Sequence, residues 1–428
     1  MNSTFSTISV IGLGYIGLPT AAMLASRKIK VIGVDISQHA VDTINKGRTH
    51  IVEPELDMIV SAVVSQGFLR AVTIPEPADA FLIAVPTPFM GDHEPNLGFV
   101  EAAAKSIAPA LKKGNLVILE STSPVGTTKQ LAEWLAEARP DLSFPQQNGE
   151  EADINVAYCP ERVLPGKVVH ELINNDRVIG GMTSRCSERA TALYKTFVEG
   201  ECIETNASTA EMCKLTENSF RDVNIAFANE LSIICEKQNV NVWELIRLAN
   251  RHPRVNILQP GPGVGGHCIA VDPWFIVAKT PNEAKLIRTA REINDAKPHW
   301  VLDKVKLAVA EYLRDNSEKT AMDLTISCFG LAFKPDIDDL RESPSMEIAI
   351  ELAKQHPGPI LVVEPNICNM PSSLPASIKL VASEEAQRTS QIAVILVAHK
   401  KFKSLPPSFW EILKVIDACG LREVAPII

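Results

Sequence analysis

The chain has no excess of positive charge: 42 Lys and Arg stand against 51 Asp and Glu, for a net charge of −9. A surface that repels phosphate overall excludes nucleic acid and an anionic membrane as main partners, so an anionic ligand must be met by locally placed cations. Long apolar runs are missing too, and none reaches the roughly 18 uninterrupted residues that cross a bilayer. The opening MNSTFSTISVIGLG has neither the basic start nor the small-residue cleavage site of a secretory signal. A cytoplasmic protein is expected. Cysteine supplies neither a disulfide framework nor a zinc ribbon, because the nine residues at 159, 186, 202, 213, 235, 268, 328, 368 and 419 are odd in number, scattered and never spaced CxxC. No metal site is expected, and most of these thiols should be small core residues.

What is present is length and rhythm. The 428 residues exceed the roughly 250–300 at which single cores stop growing, so two or three domains are expected. Residues 7–36 read as an apolar strand, a glycine turn, an alanine-rich helix and a second strand ending in aspartate. Apolar runs at Ala80–Val85 and Leu116–Leu119 continue the alternation of a doubly wound parallel sheet. From Ser208 to about Glu236 the spacing predicts one long helix, and a second helical stretch covers about 283–314. A Pro/Gly-rich loop lies between them. The last third returns to strands at LTISCFGLAF, ILVVEP, IAVILVAH and VIDAC, with a helix from about Ser345. The fold class is therefore α/β, with two Rossmann-like doubly wound domains joined by a central long-helix segment: a nucleotide-binding domain over 1–200, a helical domain over 201–305 and a second Rossmann-like domain over 306–428.

Gly12, Gly14 and Gly17 form GxGxxG between strand and helix, with Tyr15 and Ile16 inside the turn. Glycine there permits the tight turn, close approach to a pyrophosphate and tight helix packing. Asp35 closes the second strand, where a carboxylate accepts from both ribose hydroxyls and repels a 2′-phosphate, which favours NAD over NADP. FAD uses the same fingerprint and stays open on these residues alone.

A second motif, GPGVGGHCIAVD, sets Cys268 after a glycine loop with Asp272 four residues on. A thiolate there is a nucleophile toward an aldehyde, giving a thiohemiacetal that can lose a hydride to become a thioester; a buried loop cysteine is the plain alternative. Lys214 and Asn218 stand one turn apart on the long helix and offer an ammonium and an amide to an oxyanion. Glu161, in YCPERVLPG, is a candidate general base.

Together these segments resemble the UDP-glucose/GDP-mannose dehydrogenase family. The resemblance spans nearly the whole chain: GLGYIGLP, VPTP, ESTSPVGTT, CPERVLPG, EMCKLTEN, GVGGHCIAVDP and FGLAFKPDIDDLRESP. VGGHCIAVDP and NSFRDVNIAFANE are similar to the branch that oxidises N-acetylhexosamines, whereas His267 before the cysteine and Asn224 ten residues past Lys214 depart from the UDP-glucose branch. The resemblance implies a dehydrogenase that uses two NAD+ in succession to take the C6 alcohol of a UDP-sugar to a carboxylate. UDP-N-acetyl-D-mannosamine fits best, with UDP-N-acetylglucosamine the alternative and a non-catalytic nucleotide-sugar sensor a more distant one. It implies a product for cell-surface polysaccharide of the enterobacterial common antigen type, and a homodimer formed through the central helix. By motif position it makes Cys268 the nucleophile and gives the oxyanions to Lys214 and Asn218, with Asp272 in support. Glu161 would assist thioester hydrolysis, and Thr122, with Thr87, would lie toward the nicotinamide. Substrate would be held by Arg162, Gly265, Gly266, Phe333, Lys334 and Arg341, and by Arg254 across the dimer. His267 would contact the sugar, tune the thiol or serve structure alone. Arg254 and Arg341 also read as surface ion-pair partners, the latter flanked by Asp338, Asp339 and Glu342.

Overall fold

The computed structural model describes residues 5–422 except Val52, Asp92, Pro165, His267 and Cys368. Among them the chain forms two compact units, residues 1–217 and 218–428, and the boundary falls inside the helix Ala207–Lys237. The helix expected over 208–236 and the one expected over 283–314 run Ala207–Lys237 and Lys285–Asp315.

The first unit is built on β1 (Thr7–Ile11), β2 (Lys30–Val34), β3 (Leu69–Val72) and β4 (Ala80–Ile83). A small exposed hairpin of β5 (Phe89–Met90) and β6 (Glu94–Pro95) comes next. Then come β7 (Leu116–Leu119), β8 (Asn155–Tyr158), β9 (Arg177–Gly181) and β10 (Cys202–Asn206). The sheet order β10-β9-β8-β7-β4-β1-β2-β3 is doubly wound about β1 and β4. β4, β7 and β8 are buried at every position, as strands covered on both faces must be. One pairing departs from the expected parallel sheet. β9 runs antiparallel to β8, with Tyr158 opposite Gly180 and Ala157 opposite Gly181. Between β8 and β9 the one helix among the described residues is Val168–Asn174, only seven residues long. A parallel return would need a crossover that carries the chain back along the sheet.

The second unit carries β11 (Ile326–Phe329), β12 (Ile360–Val363), β13 (Ile378–Leu380), β14 (Ile392–Ile395) and β15 (Lys414–Asp417). They form an all-parallel sheet of order β13-β12-β11-β14-β15, cored on one face by Val301, Leu302 and Ile348 and on the other by Phe402, Phe409 and Trp410.

On the helix Lys285–Asp315, Lys297 is 1% exposed. Its Nζ donates to Ser232 Oγ at 2.5 Å and lies 3.5 Å from the Trp300 ring centroid. Burial pushes this ammonium down to about 7. Because the folded state gives up the proton before the unfolded chain does, stability rises with pH from about 7 to the usual lysine value of 10.5. Lys297→Met is expected to remove that slope, read as the difference between wild-type and variant unfolding free energies in urea melts across this window. Parallel pH profiles for the two proteins would contradict the assignment.

Candidate active site

At the C-terminal edge of the first sheet the chain turns sharply after β1. Gly12 adopts φ +90°, and a Cβ there would lie 2.6 Å from the Ala84 carbonyl oxygen. A Cβ on Gly17 would collide with the Gly12 carbonyl, whereas Gly14 borders open space. Tyr15 and Ile16 lead into the helix Gly17–Ser26, whose N-terminus therefore begins at this turn, with the Leu18 amide donating to the Gly14 carbonyl at 3.1 Å. Asp35 accepts from the Leu13 and Ser37 amides, both at 2.9 Å, and this fixes its carboxylate beside the turn. Such a cradle fits a dinucleotide. His50, which the sequence did not single out, stands beside Asp35; partial burial holds its ring below the ordinary histidine value while Asp35 pulls it back.

Thr87, in the chain after β4, and Thr122, in the chain after β7, meet where Thr87 Oγ1 donates to the Thr122 carbonyl at 2.6 Å. The ESTSPVG loop is tied in turn to the long helix. Buried Glu211 accepts from the Gly126 and Thr128 amides at 2.7 Å and from Thr128 Oγ1 at 2.6 Å. Lys214, one turn on, is buried. Arg162 reaches the same helix through Glu217 at 3.2 Å.

Glu161 is 7% exposed. Its Oε1 accepts the Arg162 amide at 2.6 Å, and its Oε2 accepts from the buried Arg177 guanidinium at 2.7 Å. Antiparallel pairing explains the partner: carrying the β8–β9 register onward brings Arg177 opposite Glu161. Farther along the loop, buried Glu53 accepts from the Gly166 and Val168 amides at 2.9 and 2.7 Å. Neither Arg177 nor Glu53 was legible beforehand, since each acts through a register or a backbone amide.

In the second unit Cys268 is exposed in a turn whose carbonyl accepts the Asp272 amide at 2.9 Å. Asp272 is buried at the start of the helix Asp272–Lys279, and its Oδ2 accepts from Asn218 Nδ2 at 2.5 Å. His267 lies outside the described residues. A polar seam supports the loop from below: Arg291 donates to Asp222 at 2.7 Å, Asn294 joins Asp222 to Asn229, and Asn229 Oδ1 accepts the Gly261 amide at 2.9 Å. Gly265 and Gly266 lie against the Phe333 segment, where a Cβ would meet Phe333 atoms at 2.9 and 3.0 Å.

These elements border a cavity of about 910 Å³, lined among others by Phe333, Gly261, Gly263 and three cations, Arg221, Arg247 and Lys403. Lys334 stands at electrostatic range of Arg221 and Cys268; burial and Arg221 push its ammonium down, while Cys268 and Asp339 pull it back. Arg221 was missed, although it lies three positions past Asn218 on one helix face. Arg341 is engaged by Asp339 through two bonds of 2.9 and 2.6 Å. Arg254 is exposed beyond the helix Val242–Ala249, its amide donating to His252 Nδ1 at 3.4 Å.

Models of one family match the chain in three consecutive parts: the NAD binding domain at residues 6–198, the central domain at 208–296 and the UDP binding domain at 327–419. The chain belongs to the UDP-glucose/GDP-mannose dehydrogenase family. This NAD-dependent dehydrogenase is 68% identical, over 98% of its length and 99% of the relative's, to the UDP-N-acetyl-D-mannosamine dehydrogenase of Yersinia pestis. It is 64% identical to the NDP-N-acetyl-D-galactosaminuronic acid dehydrogenase of Ralstonia nicotianae, over 97% and 96% of the two chains. The solved UDP-D-ManNAc dehydrogenase of Pyrococcus horikoshii superposes with a TM-score of 0.87 at 37% identity, covering 98% of this chain and 97% of that one. No helix among the described residues is long and apolar enough to cross a membrane.

If Asp35 holds the cofactor ribose, Asp35→Ala weakens NADH binding by about tenfold or more, the scale of one hydrogen bond to a charged group. Fluorescence titration measures this directly, and an unchanged Kd would remove Asp35 from the cofactor site.

Proposed function

We propose that this dehydrogenase oxidises the C6 alcohol of UDP-N-acetyl-D-mannosamine to the carboxylate of UDP-N-acetyl-D-mannosaminuronate. The observation that carries the reading is the exposed Cys268 thiol one turn before buried Asp272, on a loop lying against the Phe333–Lys334 segment of a cation-lined cavity. The likeness to UDP-N-acetyl-D-mannosamine dehydrogenases at 68% identity selects the sugar. The glycine turn and Asp35 would hold NAD+, which when bound would accept a hydride, and a second NAD+ exchanged for the first NADH would accept the second.

The chain's own residues do the rest. Lys334, with Gly265, Gly266 and Phe333, holds the nucleotide end, and the cations of the cavity offset its phosphates within an acidic protein. Arg162 and Arg254 add contacts to the substrate, the latter from a second copy of the chain. Arg341 joins them only by exchanging its bond to Asp339. Cys268 adds to the C6 aldehyde, Lys214 and Asn218 stabilise the oxyanion that forms, and Asp272 orients Asn218. Glu161 then takes a proton from the water that opens the thioester, and the thiol leaves. Thr122 and Thr87 shape the loop beneath the nicotinamide.

The second copy is accommodated by the central helix, where Phe220 and Phe227 stand seven apart and are 71% and 52% exposed, with Ile234 a further seven on. We place the reaction in the cytoplasm, where a nucleophilic thiol stays reduced, and its product upstream of glycosyl transfer into cell-surface polysaccharide. The Ralstonia relative keeps a second N-acetylhexosamine in view as substrate.

Purified enzyme is expected to form two NADH per UDP-N-acetylmannosamine consumed, faster than with its C2 epimer UDP-N-acetylglucosamine. Cys268→Ser should lower steady-state turnover by about 10³-fold or more, as loss of a covalent nucleophile does. One NADH per sugar at completion would sink the thioester route. Phe220→Glu with Phe227→Glu should convert dimer to monomer in sedimentation velocity, and an unchanged sedimentation coefficient would remove this stripe from the interface.

A further inference from the structure

Behind Glu161 lies a cluster that the proposed oxidation does not use. Glu120, directly after β7, is 2% exposed. Its Oε1 accepts the Tyr194 hydroxyl at 2.6 Å, and its Oε2 is buried without a hydrogen-bond partner. Tyr194, at the end of the helix Ser184–Tyr194, is covered by the Arg177 guanidinium at 5.3 Å from the ring centroid. Arg177 is the cation that holds Glu161, and its Nε has no partner. The groups facing Glu120 are thus Tyr194 from the helix, Arg177 from β9, and Cys159 and Glu161 from the chain leaving β8. One permanent cation serves two buried carboxyls.

We propose that Glu120 is a positioning residue for Glu161: through Arg177 and Tyr194 it sets how firmly the loop carboxylate is held, and so the pH range in which that carboxylate assists hydrolysis. The inference rests on the role of Glu161 in opening the thioester.

With Glu120 protonated, Arg177 and Glu161 balance each other, and the full attraction of the guanidinium falls on Glu161. When Glu120 ionises, the buried cluster carries a net negative charge. Arg177 is then shared between two carboxylates, and the Glu161 electron pair is freer to accept a proton from water. Burial, reinforced by Glu161, pushes Glu120 up to about 7 against the pull of Tyr194 and Arg177, so the exchange falls in the physiological range. A buried glutamine would satisfy Tyr194 equally well. What only a carboxyl adds is a charge that switches.

The test uses the full chain labelled with ¹³C at the glutamate δ-carbons, with the Glu161 resonance assigned by its loss in Glu161→Gln. In the wild type that resonance should shift in a step near pH 7 as Glu120 ionises. Glu120→Gln should abolish the step, and Tyr194→Phe, which withdraws a donor from the Glu120 carboxylate, should move it upward by up to about one pH unit. The kcat profile from about pH 5.5 to about pH 9 should carry the same ionisation, present in the wild type, displaced in Tyr194→Phe and absent in Glu120→Gln. A wild-type Glu161 resonance with no step near neutrality, or one unmoved by either substitution, would overturn the proposal, as would superimposable kcat profiles. Should UDP-N-acetylmannosamine yield no NADH, the substrate reading fails while the resonance still decides the coupling.

Discussion

The pair between Glu161 and Arg177 depends on a reversal of strand direction, and the placing of the Glu161 carboxylate depends on the pair. Because β9 runs against β8, the first residue of β9 arrives at the edge where β8 ends. A parallel β9 would have carried Arg177 to the far edge and left Glu161 as a buried, unpaired carboxylate. Removing one partner of such a pair costs about 3–5 kcal/mol, because the other charge stays buried. The pairing therefore explains how a carboxyl can be buried yet bonded at both oxygens, by the Arg162 amide and the Arg177 guanidinium.

Both sheets solve the turn at their C-terminal edge with the same device. Gly12 donates its amide to Val34 and Gly330 donates its amide to Val363, each at 2.8 Å, with φ of +90° and +96°. The carboxylate closing the neighbouring strand then accepts the next amide: Asp35 takes that of Leu13, and Glu364 takes those of Leu331 and Ala332. The two carboxylates differ in what covers them. Asp35 is left beside open backbone at Gly14, whereas Glu364 is covered by His399, which accepts the Asp336 amide at Nδ1 and turns Nε2 to Glu364 at 3.1 Å. One acid is thus left beside open backbone, and the other is a strut beneath the turn that leads to Phe333.

Buried polar chains do similar work for the cysteine loop. Glycine and proline give the segment 260–266 little intrinsic order. The seam from Arg291 through Asp222, Asn294 and Asn229 to the Gly261 amide supplies that order from two long helices, and the Asn218–Asp272 bond anchors the far end. The apolar rows of those helices secure their packing; the polar seam selects one arrangement of the loop above them.

The amino-acid sequence alone determined the α/β class, the glycine turn with Asp35 and both long helices to within a residue or two, because each is written in local spacing and in residue types that suit one backbone geometry. Its periodicity could not disclose the direction of β9, since a buried strand reads the same both ways. Nor could it disclose Arg177, Glu53 or Glu120, whose partners lie 16, 113 and 74 positions away. Those contacts exist only once strands are ordered and paired. Tertiary structure decided which acids border open space and which are held inside, because burial and hydrogen bonding, not residue type, set the charge a carboxyl keeps.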